Sequence, residues 1–247
     1  MYKIKRYHFS QISSTNDYAK ELISSEKFVA VTADYQWNGR GRGEKVWEGD
    51  QARNVYCSIG MRHDTRLRIE HLIALQAQGC LAAKNALQTA APGKRFALKY
   101  PNDVLMLSQD NTWKKICGVL VEHEFAGSVC VSTVIGIGIN IRPKNFPATL
   151  LNRATSLLNE DIDIQVDSVT ETLVREWERW TEMGTGKILE KWKGELHIEG
   201  KIVEIVGESP GWTVKALLED GRLLTRHMIT GAERVIDNGD SIRYEIG

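Results

Sequence analysis

The 247-residue chain has only five prolines and no net charge, 32 Lys plus Arg standing against 32 Asp plus Glu. No overall field draws it to nucleic acid or an acidic membrane, so any anion it binds must be held by a local cluster. It has no apolar run near the roughly 20 residues that cross a bilayer, and residues 1–10 lack the apolar stretch of a signal peptide. These absences predict a cytoplasmic protein. There is no C-x-x-C pair among Cys57, Cys80, Cys117 and Cys130. Each sits in an apolar stretch, which predicts buried thiols rather than disulfides or a zinc frame. The Walker pattern is missing, and no G-x-G-x-x-G opens a helix, which excludes the two common nucleotide folds.

What is present is an ordinary core-forming composition, 42% hydrophobic and 26% charged, patterned into elements. Residues 2–9 alternate as a strand, and Ser13 to Asp17 offers N-cap chemistry before a helical stripe at Tyr18, Ala19, Leu22 and Ile23. Strands are expected at 28–35 and 54–62, separated by a polar, glycine-rich loop from Gln36 to Ala52. A long helix over 68–90 is stopped by Pro92 and Gly93. Segments 95–107, 114–124 and 128–141 read as an antiparallel meander, followed by helices at 167–183 and 186–193 carrying Trp177, Trp180 and Trp192. After Gly194 short alternating runs separated by glycines suggest a small all-β barrel. The expectation is an α+β domain over 1–194 and a barrel over 195–247.

Four stretches carry chemistry. In Asn38-Gly39-Arg40-Gly41-Arg42-Gly43-Glu44-Lys45-Val46-Trp47, glycines let backbone N–H groups approach a ligand while Arg40, Arg42 and Lys45 add charge for phosphate or carboxylate. In Lys99-Tyr100-Pro101-Asn102-Asp103 the proline fixes a corner that directs Lys99, Asn102 and Asp103; a plain turn explains P-N-D equally. In the strand beginning Lys114-Lys115-Ile116-Cys117-Gly118, alternation points one lysine inward, where burial is costly unless paired; the competing reading is a lysine snorkelling at a strand start. Gly136 and Gly138, inside a β-branched strand ending at Asn140, imply that a ligand or a neighbouring helix approaches that face closely.

Together and in this order these boxes resemble the biotin-protein ligase family: Ser14-Thr15-Asn16, Tyr35-Gln36 with Gly39-Arg40-Gly41-Arg42 and Trp47, the KYPND box at 99–103, Lys115 to Glu122, and Gly136-x-Gly138-x-Asn140. The resemblance implies a class II synthetase-like mixed sheet with helices, followed by an SH3-like β-barrel. It implies that biotin and ATP, with Mg2+, form biotinyl-5'-AMP, and that the biotinyl group passes to a lysine of a biotin carboxyl carrier domain of a biotin-dependent carboxylase. Ser14, Thr15, Asn16, Gln36 and the Arg40 backbone would then meet the ureido head of biotin. Arg42 and Lys115 would stabilise charge at the α-phosphate, and Asp103 would orient or deprotonate the acceptor lysine. Gly39, Gly41, Trp47, Lys99, Asn102, Gly118, Gly138 and Asn140 complete the substrate-binding set. Magnesium would ride on the phosphates, so no protein metal ligands are expected.

The chain departs from the family pattern at Gly43, often basic, at Tyr100, usually Trp, and at Ala216 in the barrel, commonly glycine. Some members carry an N-terminal winged helix. Here the first strand begins almost at Met1, so DNA binding is not expected; a homodimer is allowed, and no membrane partner is expected. Two other readings remain: a lipoate or octanoate ligase of the same fold, and a non-catalytic sensor of biotinyl-adenylate.

Overall fold

The computed structural model describes residues 4–43, 45–47, 53–236 and 242–246. Its first strand, β1 (Lys5–Ile12), pairs in parallel with β2 (Phe28–Gln36), because the intervening α1 (Thr15–Leu22) carries the chain back to the start of the sheet. The crossover is set locally. Ser14 is the extended N-cap, its hydroxyl accepting from the Asp17 amide at 3.4 Å, which satisfies one of the amides a helix start leaves unpaired. Every later strand of this sheet is antiparallel to its neighbour: β3 (Asn54–Arg62), β4 (Phe96–Lys99), β5 (Asp103–Leu107), β6 (Trp113–Ala126) and β7 (Val129–Asn140). The order is β1-β2-β3-β7-β6-β5-β4. The meander expected over 95–141 is present, and left-handed Asn111 and Gly127, at φ 58° and 62°, stand at its turns.

Period-two alternation divides the sheet into two faces. Cys57, Ile59, Ile135, Ile137 and Ile139 belong to the main core, which also takes in α2 (Ile69–Ala90), α3 (Val166–Thr181) and α4 (Thr185–Leu196). Gly79 of α2 lets the helix seat closely here: a Cβ would lie 2.9 Å from Val119 and 3.1 Å from Ile135. Trp177 and Trp192 are each 1% exposed, and burying such side chains contributes about 1.5–3 kcal/mol apiece. They are core anchors. The opposite face holds α1 on a smaller cluster of Ala19, Ile23, Val29, Val31 and Val134. Beside α1 this face is open, and the glycines of β6 and β7 lie there. All four cysteines are free and buried; burial pushes the Cys57 thiol up to about 12, as expected for inert core thiols.

The carboxy-terminal strands are β8 (Ile202–Ile205), β9 (Trp212–Leu217), β10 (Leu223–His227), β11 (Glu233–Ile236) and β12 (Ile242–Arg243). They form an antiparallel sheet in the order β11-β10-β9-β8-β12. The small all-β unit expected after Gly194 is present as this antiparallel sheet; among the described residues no pairing joins its edges β11 and β12. No helix among the described residues is long and apolar enough to cross a membrane.

Candidate active site

The open face encloses one cavity of about 970 Å³, lined by fifteen of the sixteen residues singled out from sequence. Gln36, Arg42 and Lys115 share it. The exception is Gly39, which is buried behind the wall: a Cβ there would come within 2.6 Å of Gln36 Nε2 and 2.7 Å of the Trp47 carbonyl oxygen. Glycine is needed for that close approach of the loop to Gln36.

At the α1 end a polar cluster is held in place before any ligand arrives. Gln36 Oε1 accepts from the Thr15 amide at 3.3 Å and from its hydroxyl at 3.4 Å. The Ser58 hydroxyl lies 2.7 Å from Thr15 Oγ1 and 2.6 Å from Asn16 Oδ1, and Asn16 Nδ2 donates to Glu122 at 2.6 Å. Gly136 is open for this reason: a Cβ would lie 2.3 Å from Asn16 Oδ1. Ser58 and Glu122 were not foreseen from sequence, although both sit on strands whose cavity-side parity was legible.

The glycine-rich segment folds back on itself. The Trp47 amide donates to the Gly39 carbonyl at 2.9 Å, Gly41 N–H donates to the Lys45 carbonyl at 2.6 Å, and Arg40 and Val46 form an antiparallel bridge. Gly43 stands at the tip with φ 62°, a backbone conformation a basic side chain would adopt only with strain. Glu44 lies outside the described residues. The two arginines then diverge. Arg40 turns to α1 and grips Asp17 with both nitrogens, at 2.7 and 2.6 Å, with Glu122 oxygens at 3.4 Å. Its hydrogen bonds to Asp17 raise the guanidinium pKa further, and that same grip holds the Asp17 carboxyl below its usual range. Burial alone would push Glu122 up, but hydrogen bonds from Asn16 and Lys20 and the Lys20 and Arg40 charges outweigh it and lower it. Arg42 instead spans the cavity, Nη1 donating to Asn102 Oδ1 at 3.4 Å.

Trp47 closes the segment over the sheet. Added Cβ atoms would meet its ring 2.9 Å from Gly118 and 2.5 Å from Gly138, a cross-strand pair. Of the two readings left open for the strand glycines, a protein side chain therefore fills this face: α1 at Gly136 and the loop tryptophan at Gly138. Lys115 lies beneath, its ammonium 5.6 Å from the indole centre and 2.6 Å from Asp103 Oδ1. That oxygen has no properly angled hydrogen bond among the described residues, so the contact is chiefly one of charge. A register shift between Val104 and Leu105 turns Lys115 toward the cavity, while Lys114 pairs with Asp110 at 2.5 Å.

The KYPND corner joins β4 to β5, with the Tyr100–Pro101 bond cis. Asn102 is locked to β6, its amide donating to the Val119 carbonyl at 2.7 Å and its own carbonyl accepting from Val119 N–H at 2.9 Å. Lys99 is half-buried; burial lowers its pKa, with Arg153 and Arg243 adding to the effect and Asp103 opposing it. The far wall was missed entirely. Residues 143–154 contribute Asn145, Phe146, Asn152 and Arg153, fastened by Lys115 N–H to the Arg153 carbonyl at 2.8 Å and Thr155 N–H to the Lys115 carbonyl at 2.9 Å. Asn140 serves this wall, donating to the Thr155 carbonyl at 3.1 Å. The available signal was a long stretch without periodicity after β7, of a kind that usually carries function.

The chain matches the Biotin/lipoate A/B protein ligase family over residues 8–140. It is 35% identical over 155 residues to the bifunctional ligase/repressor BirA of Bacillus subtilis, covering 61% of this chain and 45% of that protein. To the biotin--[acetyl-CoA-carboxylase] ligase of Paracoccus denitrificans it is 31% identical over 134 residues, 53% of this chain and 52% of that one. The match thus spans about half the length of these curated relatives. Among solved structures, the biotin protein ligase from Aquifex aeolicus in complex with biotin and ATP superposes with a TM-score of 0.70 at 23% identity, covering 98% of this chain and 99% of that one. At that identity the likeness concerns the fold.

Proposed function

The chain belongs to the Biotin/lipoate A/B protein ligase family, and from that premise we propose that it is an ATP-dependent biotin ligase acting on a carrier-domain lysine. The observation that carries this reading is the shared cavity, hydrogen-bonding at the α1 end through Thr15, Asn16 and Gln36 and cationic through Arg42, Lys99 and Lys115. In the first step a biotin carboxylate oxygen attacks the α-phosphorus of ATP and the bond to pyrophosphate breaks. Lys115 and Arg42 offset the charge on the five-coordinate phosphorus oxygens and on the leaving group. In the second step the carrier amine attacks the acyl carbon and AMP leaves with the bonding electron pair. Asp103, the carboxylate lining the cavity, orients the carrier lysine or takes the proton from its ammonium to free the attacking amine, once Lys115 has shifted toward phosphate.

The Gly39–Trp47 fold with its tryptophan lid shields the mixed anhydride from water. Magnesium would travel on the ATP phosphates, with Asp103 the acidic side chain near the cationic end. The magnesium ion would neutralise phosphate charge there.

The test mixes purified protein with ATP, magnesium, biotin and an apo carrier domain. Biotin-dependent labelling of the carrier lysine is expected. Labelling with lipoate alone would transfer the chain to the other branch of its family, and adenylate binding without labelling would make it a sensor. Lys115→Ala should lower the rate of adenylate formation by on the order of 100-fold or more while leaving the fold intact.

A further inference from the structure

The carboxy-terminal region meets the KYPND corner at Tyr244 and Gly221. Tyr244, two residues from the chain's described end and 9% exposed, accepts a hydrogen bond at its hydroxyl from the Tyr100 amide at 2.7 Å. Tyr100 reaches the other way, its hydroxyl donating to the Gly221 carbonyl at 2.8 Å. Gly221 has φ 80°, and a Cβ there would press on Ile73 of α2 at 2.9 Å, so its carbonyl is held in place. Tyr100 is thus tied at its backbone to Tyr244 and at its hydroxyl to Gly221, at the box where the family usually has Trp.

The Tyr244 ring does a second thing. The Lys99 ammonium lies 5.1 Å from its centroid, within the range of cation–π attraction. Tyr244 therefore holds the backbone of Tyr100 and the charge of Lys99 at once. Lys99 ends β4 and Gln36 ends β2, five strands apart in the sheet order, or about 24 Å at the usual strand spacing. A ligand whose hydrogen-bonding head occupies the Gln36 end presents a different part of the substrate pair to Lys99. The polyanion among those substrates is the triphosphate.

We propose that Tyr244 is a positioning residue for ATP, fixing the Lys99 ammonium toward the phosphates, and that the carboxy-terminal sheet contributes to adenylation through this one side chain. The inference rests on the biotin ligase reading. Tyr244 does not touch substrate; it acts through Lys99 and the Tyr100 backbone.

The test measures ATP-dependent adenylate formation for the wild type, Tyr244→Phe, Tyr244→Ala, Lys99→Ala and the Lys99→Ala/Tyr244→Ala pair, with thermal melting of each. Losing ring and hydroxyl together should raise the KM for ATP about tenfold, and losing the hydroxyl alone about threefold, with the KM for biotin within about twofold of wild type. In the Lys99→Ala background the second substitution should add less than about twofold, because coupled residues are not additive. If Tyr244→Ala fails to fold, the same comparison is made with Tyr244→Phe. An active wild type whose Tyr244 variants keep its KM for ATP overturns the inference alone. So does an equal rise for both substrates, or a full additional loss in the Lys99→Ala background. A wild type that forms no adenylate overturns the ligase reading and this inference with it.

Discussion

Replacing Asp17 with asparagine should loosen the glycine-rich segment without unfolding the protein. The anchor is a two-bond contact, Arg40 to Asp17 at 2.7 and 2.6 Å, with Glu122 at 3.4 Å as a weaker second acceptor. Asparagine retains one acceptor and sets a donor against the second guanidinium nitrogen, so one charge-assisted bond is lost and the other weakened. The side chains are 34% and 40% exposed, so solvent screening brings the value down to about 1 kcal/mol, or roughly a fivefold shift in how often the segment is seated. The assay reads the KM for biotin and the release of adenylate during single turnover. A rise of about fivefold in each is expected, with melting nearly unchanged and the difference shrinking in 1 M salt, where the screening length falls to about 3 Å. The acid behaviour follows from the sign of the shift. Asp17 is held below its ordinary 3.8, so its contribution is present above that value and is lost as pH falls through the lowered folded pKa. Wild-type KM and retention in Asp17→Asn would show that Arg40 does not tether the segment.

Gly138→Ala places a methyl within 2.5–2.8 Å of three Trp47 ring atoms; the indole must leave its seat, shifting tryptophan emission and raising the KM for ATP by about tenfold, and an unaltered spectrum would contradict the seating. Burial holds Lys99 below its ordinary 10.5, with Asp103 opposing and Arg153 and Arg243 reinforcing. The ammonium is therefore lost as pH rises through that lowered value, and the KM for ATP should climb earlier than free lysine titrates; Lys99→Arg should remove that limb. On the helix-side face His123 and His63 flank the Thr133 hydroxyl at 2.9 and 2.8 Å, and burial, with His63 adding, lowers His123 to about 4. The unfolded chain takes up this proton first, near 6.5, so stability falls between about pH 6.5 and 4. His123→Gln should flatten that slope by about 1 kcal/mol at pH 5 after allowance for partial exposure, or some 2–4 °C in Tm.

Local chemistry was enough to place most elements and all five boxes. Ser14 as a helix cap, Pro92-Gly93 as a stop, Asn111 and Gly127 at turns, and the alternation that sends Gly136 and Gly138 to one face all follow from single residues and short periods. What no short window records is which distant backbone a residue meets. The parallel pairing of β1 with β2, the pairing of Arg40 with Asp17, the indole on Gly118 and Gly138, the wall at 143–154 and the Tyr100–Tyr244 hydrogen bond were decided by tertiary structure. Each joins groups from separate elements, the last across 144 residues. Such contacts cost loop-closure entropy that only the assembled core repays. Periodicity carries the burial of a side chain; the choice of its neighbour is made by packing.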